Sequence, residues 1–276
     1  RQRQMCIRDS MSRVQYIDMH SDVLDKQMAF SIYLPDGYDG EQSFPVLYFL
    51  HGRSGNESII DELDIKSAAD ELIASGQISP MMIVCPRMDN SRGLNTAAIS
   101  HQEASNGMKI DMGRYEDYFI QEVVPYIDRH FKTIPNGNHR FIGGASAGGF
   151  AAAHYGLEYP RLFSRIGGHM PAVETEFDAA DIPYYGDESG FHKNNPLEFE
   201  GFEEQHQKQL WYLDAGDEDE GGFYNAVESL SGRLKAHGIG VEHHIFPGHH
   251  NLQYIKDNIR KYLIFYGNRI CTNSSK

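Results

Sequence analysis

Ser146 stands in the pentapeptide Gly144-Ala145-Ser146-Ala147-Gly148, a G-x-S-x-G arrangement that can turn a hydroxyl into a nucleophile. That chemistry requires a strand that runs into a helix through a turn too tight for side chains. The surrounding stretch, Arg140 to Gly156 (RFIGGASAGGFAAAHYG), has this form: an apolar start at Phe141 and Ile142, a cluster of small residues, then an alanine-rich helical pattern. Gly144 and Gly148 fall where the turn presses backbone against the neighbouring strand and helix, so a Cβ would clash. The serine is left with its hydroxyl exposed and a helix start behind it, whose N–H groups point toward any oxyanion formed there. A glycine-rich turn with an incidental serine is the competing reading, and the flanking strand and helix weigh against it.

A serine hydroxyl is a weak nucleophile near neutral pH and needs a base, usually an oriented histidine. Where the order is Ser, then Asp or Glu, then His, each residue follows the end of a strand. Nine histidines follow Ser146. Only His249 and His250 fall between a strand pattern and the last helix, after the turn signal Pro247-Gly248. His243 and His244 fall within the strand itself. For the acid, the apolar run from Leu210 ends in Asp217-Glu218-Asp219-Glu220, with Asp214 just before it. Asp214 comes while the strand is still running, which suits structure better than catalysis. Most of the acidic cluster reads as a solvated turn, with one member serving as the acid.

The elements that must position these groups alternate along the chain. Ala29 to Leu34, Pro45 to Leu50, Met81 to Cys85, Phe163 to Ile166, Leu210 to Leu213 and Val241 to Phe246 read as strands. Pro45 to Leu50 (PVLYFL) is almost continuously apolar, as a central strand buried on both faces should be. It ends at His51-Gly52-Arg53. Helical spacing predicts helices over 59–74, 114–131 (kinked at Pro125), 223–236 and 250–266. Residues 87–113 read as a long loop. The acidic segment 171–207, rich in Pro, Gly and Tyr, reads as an insertion beside the active site. Alternating strands and helices imply an α/β fold, a mostly parallel doubly wound sheet with helices on both faces.

Composition sets the outer bounds. The 276 residues fit one α/β domain, and a formal charge of −14 argues against nucleic-acid or anionic-membrane partners. Three cysteines without paired spacing argue against a disulfide framework and for a reducing compartment. No apolar signal core follows Met11, so a cytoplasmic protein is expected. Residues 1–10 (RQRQMCIRDS) fit nothing that follows and look like a translated adaptor remnant, leaving 11–276 as the domain.

The segments YLPDGYDG, VLYFLHG, RYEDYFIQEVVPYID, GGASAGGFAA, LDAGDED and PGHH occur in the order seen in the esterase D-like branch of the α/β-hydrolases. That family includes feruloyl and acetyl xylan esterases, S-formylglutathione hydrolase, enterochelin esterases and mycolyltransferases. The resemblance runs from about Ala29 to Tyr266. It implies Asp219 as the acid, three residues after Gly216, and His249 as the base, five residues before Tyr254. It also implies an oxyanion hole from the backbone N–H groups of Arg53 and Ala147, supported by His51, Gly52, Gly144 and Gly148. Two departures stand out: Ala147 occupies a position that is methionine in many relatives, and His250 one that is often aspartate.

The implied activity is hydrolysis of carboxylic esters of small alcohols or sugars (acyl, feruloyl or acetyl) through an acyl-enzyme, with no cofactor and no metal. Acyl transfer to an alcohol and thioester hydrolysis would use the same triad, and a binding module that had lost its activity would keep the same fold. A metal site from His243, His244, His249 and His250 matches no zinc spacing, and Asp217 to Gly221 lacks the twelve-residue calcium pattern.

Overall fold

In the computed structural model the apolar runs become the centre of one eight-stranded sheet. The structure describes residues 11–103, 107 and 109–268, without the side chains of 97–103 and 179. The expected adaptor remnant at 1–10 lies outside the described residues. The strands are β1 (Arg13–Ser21), β2 (Lys26–Leu34), β3 (Val46–Leu50), β4 (Met82–Pro86), β5 (Asn95–Glu103), β6 (Lys109–Arg114), β7 (Arg140–Ala145), β8 (Arg165–His169), β9 (Leu210–Gly216) and β10 (Gly240–Phe246). The large sheet runs β1-β2-β4-β3-β7-β8-β9-β10, and β5 pairs only with β6. From β4 to β10 every pairing is parallel, while β2 is antiparallel to both of its neighbours.

The main helices are α1 (Ile65–Ala74), α2 (Ala147–Glu158), α3 (Phe223–Ala236) and α4 (Leu252–Gly267). Alternation along β3 shows why both faces need covering. Leu47 and Phe49 pack with α1 and α4, whereas Val46, Tyr48 and Leu50 pack with α2 and α3. Two layers of helices therefore enclose the sheet. The carboxyl ends of β3, β7, β9 and β10 lie along one edge, where a parallel α/β sheet leaves its crevice.

Several expectations are corrected. The segment read as a long loop at 87–113 contains the β5–β6 hairpin. β1 is a further strand at the edge of the sheet: Tyr16, Asp18 and His20 are exposed, and the apolar residues facing inward are few, chiefly Ile17 and Met19. The helix expected over 59–74 is broken at Asp64, which adopts a left-handed φ of 54°, so a short helix at Ile59–Glu62 precedes α1. The helix read over 114–131 is widened to π geometry at Tyr118–Val123, just before Pro125. Proline lacks the N–H that the regular ladder would use there.

The seat of α4 on the sheet depends on two missing side chains. Gly143 and Gly167 face each other across β7 and β8. The Tyr266 hydroxyl fills the space beside both, and a Cβ would lie 1.8 Å from it at Gly143 and 1.7 Å at Gly167. Tyr266 is itself buried and cannot swing away. Gly167→Ala is therefore expected to lower unfolding free energy by about 1–3 kcal/mol, the usual cost of overpacking a core. Urea denaturation of the variant beside the parent protein checks this.

Candidate active site

Ser146 caps α2 with φ 53° and ψ −114°, a backbone conformation that non-glycine residues rarely adopt. The reason lies in how closely the elbow approaches the end of β3. A Cβ on Gly148 would sit 2.4 Å from the carbonyl oxygen of Leu50 and 2.5 Å from that of His51. On Gly144 it would meet the backbone of Gly148 at 2.6 Å. Both glycines of the pentapeptide are thus demanded by contact, as the sequence implied. The turn is held by hydrogen bonds from the Ser146 N–H to the His169 carbonyl (2.9 Å) and from the N–H groups of Phe150 and Ala172 to the Ser146 carbonyl (2.9 and 3.0 Å).

The histidine beside the serine is His250, and this corrects the expectation placed on His249. Ser146 Oγ donates to His250 Nε2 at 2.8 Å, and His250 Nδ1 donates to Asp219 Oδ2 at 2.8 Å. His249 points the other way, half-exposed, with Nδ1 2.9 Å from Glu220 and Nε2 3.5 Å from Glu218. The physical reason is the turn after β10. Gly248 has φ 148°, and the Asn251 N–H bonds back to the His249 carbonyl, so neighbouring side chains leave on opposite sides. Asn251 then caps α4, accepting from the Tyr254 N–H at 2.9 Å. The inward histidine is the one immediately before that cap. The cap signature Asn251-x-x-Tyr254 was the signal in the sequence that could have shifted the choice by one residue.

Asp219, the acid that the resemblance implied for His249, meets His250 instead, with its side chain fully buried. Its second oxygen accepts from the Gly221 N–H at 2.8 Å. The neighbouring acids are not loose. Asp217 accepts from the Gly248 N–H at 3.0 Å, and Glu220 accepts from the His250 N–H at 3.0 Å. Its own N–H and that of His250 hold the Glu220 carboxyl below the ordinary carboxylate range. Asp214 is buried inside the sheet, bonded to His169, and does not reach the serine.

A cleft of about 640 Å³ opens over Ser146 and His250. Its walls include the apolar Ile59, Met170, Phe223, Leu252 and Ile255, with Arg53 and Glu62 supplying charge. Ala147 is the first residue of α2, so its N–H has no carbonyl one turn earlier to bind. Arg53 lines the same cleft, after Gly52. Ala172, at the start of the segment read as an insertion, forms part of the wall. Buried Arg92 holds that segment through Glu174, Asp181 and the Tyr185 hydroxyl, a role the sequence reading did not foresee. Among the described residues no three His, Cys, Asp or Glu side chains gather as metal ligands. No helix among them is long and apolar enough to cross a membrane.

Comparison with known proteins agrees with this architecture. A family model described as "Putative esterase" matches residues 21–266. A curated relative, an endo-1,4-beta-xylanase/feruloyl esterase from Xylanibacter ruminicola, is 30% identical over 163 residues, covering 56% of this chain and 21% of the relative. The chain thus spans about a fifth of that relative's length. Among solved structures, a ferulic acid esterase superposes with a TM-score of 0.77 at 23% identity, covering 93% of this chain and 98% of the other. An S-formylglutathione hydrolase from Staphylococcus aureus gives a TM-score of 0.71 at 18% identity, covering 94% and 100%. These two likenesses establish the α/β-hydrolase fold.

His51 shows how the loop bearing Arg53 is fixed. It is 3% exposed; its Nδ1 donates to the Gly52 carbonyl at 2.8 Å, and its Nε2 accepts from the Met88 N–H at 2.9 Å. Burial pushes its pKa below the ordinary 6.5. The folded state therefore resists protonation that the unfolded chain accepts. The stability His51 contributes is present above pH 6.5 and is lost as pH falls toward its lower folded value. Unfolding free energies from pH 8 down to 5 should fall less steeply in His51→Gln than in the parent. Parallel curves would show that His51 carries no such linkage.

Proposed function

Because the chain belongs to the esterase family of α/β-hydrolases, we propose that it is a serine carboxylic-ester hydrolase working through an acyl-enzyme. The observation that carries this reading is the unbroken line Ser146 Oγ, His250 Nε2, His250 Nδ1, Asp219 Oδ2, with 2.8 Å at both hydrogen bonds. His250 takes the serine proton as Oγ attacks the ester carbonyl, and Asp219 holds the imidazole in the tautomer that can accept it. The oxyanion forms against the N–H groups of Ala147 and Arg53. Collapse expels the alcohol, which leaves with the proton from His250. A water then enters, gives its proton to the same imidazole, and releases the acid.

The cleft supports a choice of substrate class. Its volume and its wall of Ile59, Phe223, Leu252 and Ile255 suit an aromatic or short apolar acyl group, and its open side leaves room for a sugar or small alcohol. Feruloyl and acetyl esters fit this description. The likeness to the Xylanibacter ruminicola enzyme favours the feruloyl kind.

Steady-state hydrolysis of p-nitrophenyl esters and methyl ferulate tests the assignment. His250→Ala and Asp219→Asn are each expected to reduce kcat by roughly 10⁴-fold, as loss of triad members does elsewhere. His249→Ala should cost less than about tenfold, acting only through the surface field. So should Asp217→Asn, whose amide oxygen can still accept from Gly248. An inactive His249→Ala beside an active His250→Ala would overturn the choice of base.

A further inference from the structure

Beneath the site lies a polar network that the reaction does not touch. The carboxylate of Asp214, at 0% exposure, receives three donors: His169 Nδ1 at 2.8 Å on one oxygen, and the hydroxyls of Tyr254 (2.8 Å) and Tyr262 (2.7 Å) on the other. His169 Nε2 in turn accepts from the Tyr266 hydroxyl at 2.9 Å. Every polar atom of this group is satisfied, which is what makes so deep a carboxylate tolerable. The three tyrosines all come from α4, so the network ties that helix to β8 and β9.

Tyr254 differs from the other two in what else it touches. Its N–H donates to the Asn251 side chain that caps α4. Its ring lies against Gly248 so closely that a Cβ there would come within 2.7 Å. One residue thus meets both ends of the turn Gly248–Asn251, its ring at Gly248 and its backbone N–H at Asn251, and His250 is inside that turn. From the opposite side, Asp217 accepts from the Gly248 N–H, and the Glu218 N–H donates to the Gly248 carbonyl at 3.0 Å. Tyr262 lies two helical turns further along α4, packed on the His169 ring, away from the turn.

We propose that Tyr254, braced by Asp214, is a positioning residue for the base: it fixes the Gly248–Asn251 turn so that His250 bridges Ser146 and Asp219. This rests on the reading of His250 as the base. The tyrosine transmits geometry and exchanges no proton with the substrate. Displacement of a catalytic group by about 1 Å can cost up to roughly 10²-fold in rate, so a hydroxyl well away from the chemistry can still govern it.

The test compares Tyr254→Phe with Tyr262→Phe, since each removes one hydrogen bond to the same carboxylate oxygen. Both should lower the urea midpoint by similar amounts. Only Tyr254→Phe should reduce kcat, by about 10- to 100-fold, with KM within about twofold of the parent, because substrate binding is left intact. Equal kcat values in the two variants, whether both high or both low, would overturn the proposal and reduce the network to a fold-stabilising one. Should Tyr254→Phe fail to fold, Asn251→Ala removes the other hold that Tyr254 has on the turn, and an undiminished kcat there would also overturn it. The parallel His250→Ala variant separates the two failures. If it stays active, the assignment of the base is at fault; if it is inactive while Tyr254→Phe is normal, only the positioning role is.

Discussion

The backbone of Ser146 is the constraint on which the rest of the structure depends. At φ 53° and ψ −114° it is held in a conformation that costs of order 1–3 kcal/mol and persists only if the surroundings enforce it. The enforcement comes from three directions. The end of β3 presses against Gly144 and Gly148, the His169 carbonyl at the end of β8 accepts the serine N–H, and the Ala172 N–H closes on the serine carbonyl. The two strands that flank β7 and the cleft-side segment are therefore all registered against one residue. The strain turns the hydroxyl out of the helix and toward the cleft.

The other half of the site is organised by pairing two loops. The loop after β9 supplies Asp219 and the loop after β10 supplies His250, and four hydrogen bonds between the loops keep them in register. Asp217 N–H binds the Phe246 carbonyl, Glu218 N–H binds the Gly248 carbonyl, and the carboxylates of Asp217 and Glu220 receive the N–H groups of Gly248 and His250. The acidic run is thus a working part of the scaffold, the carboxylates of Asp217, Asp219 and Glu220 each receiving a different backbone N–H. One hydrogen bond faces the His250 imidazole, and the remainder keep the imidazole in place to receive it.

Much of this was legible in the residues. The elbow could be read because its glycines are required by backbone contact, a constraint local to five residues. The central strands could be read because burial on both faces leaves a continuous apolar run, and α3 because its faces differ. What escaped the sequence depended on partners far along the chain. β1 is an edge strand whose inward face carries only a few apolar residues, ending in the polar Ser21, so its apolar signal is short. The β5–β6 hairpin has only a short apolar signal between polar residues. The residues alone left His249 and His250 both open and the resemblance implied His249; adjacent residues in a tight turn point to opposite sides, and the position of the α4 cap decides which faces inward. Asp214 was correctly read as structural, but its tyrosine partners lie forty and more residues away.

The central claim is that Ser146 is a nucleophile activated by His250. Reaction with a fluorophosphonate, followed by mass spectrometry of the proteolytic peptides, tests it most directly, because the reagent bonds covalently to an activated serine whatever the natural substrate. The account predicts a single adduct on the peptide containing Ser146, formed quickly in the parent protein and in His249→Ala and at least about 10²-fold more slowly in His250→Ala. An adduct on another serine, or labelling of Ser146 at the same rate with and without His250, would contradict it.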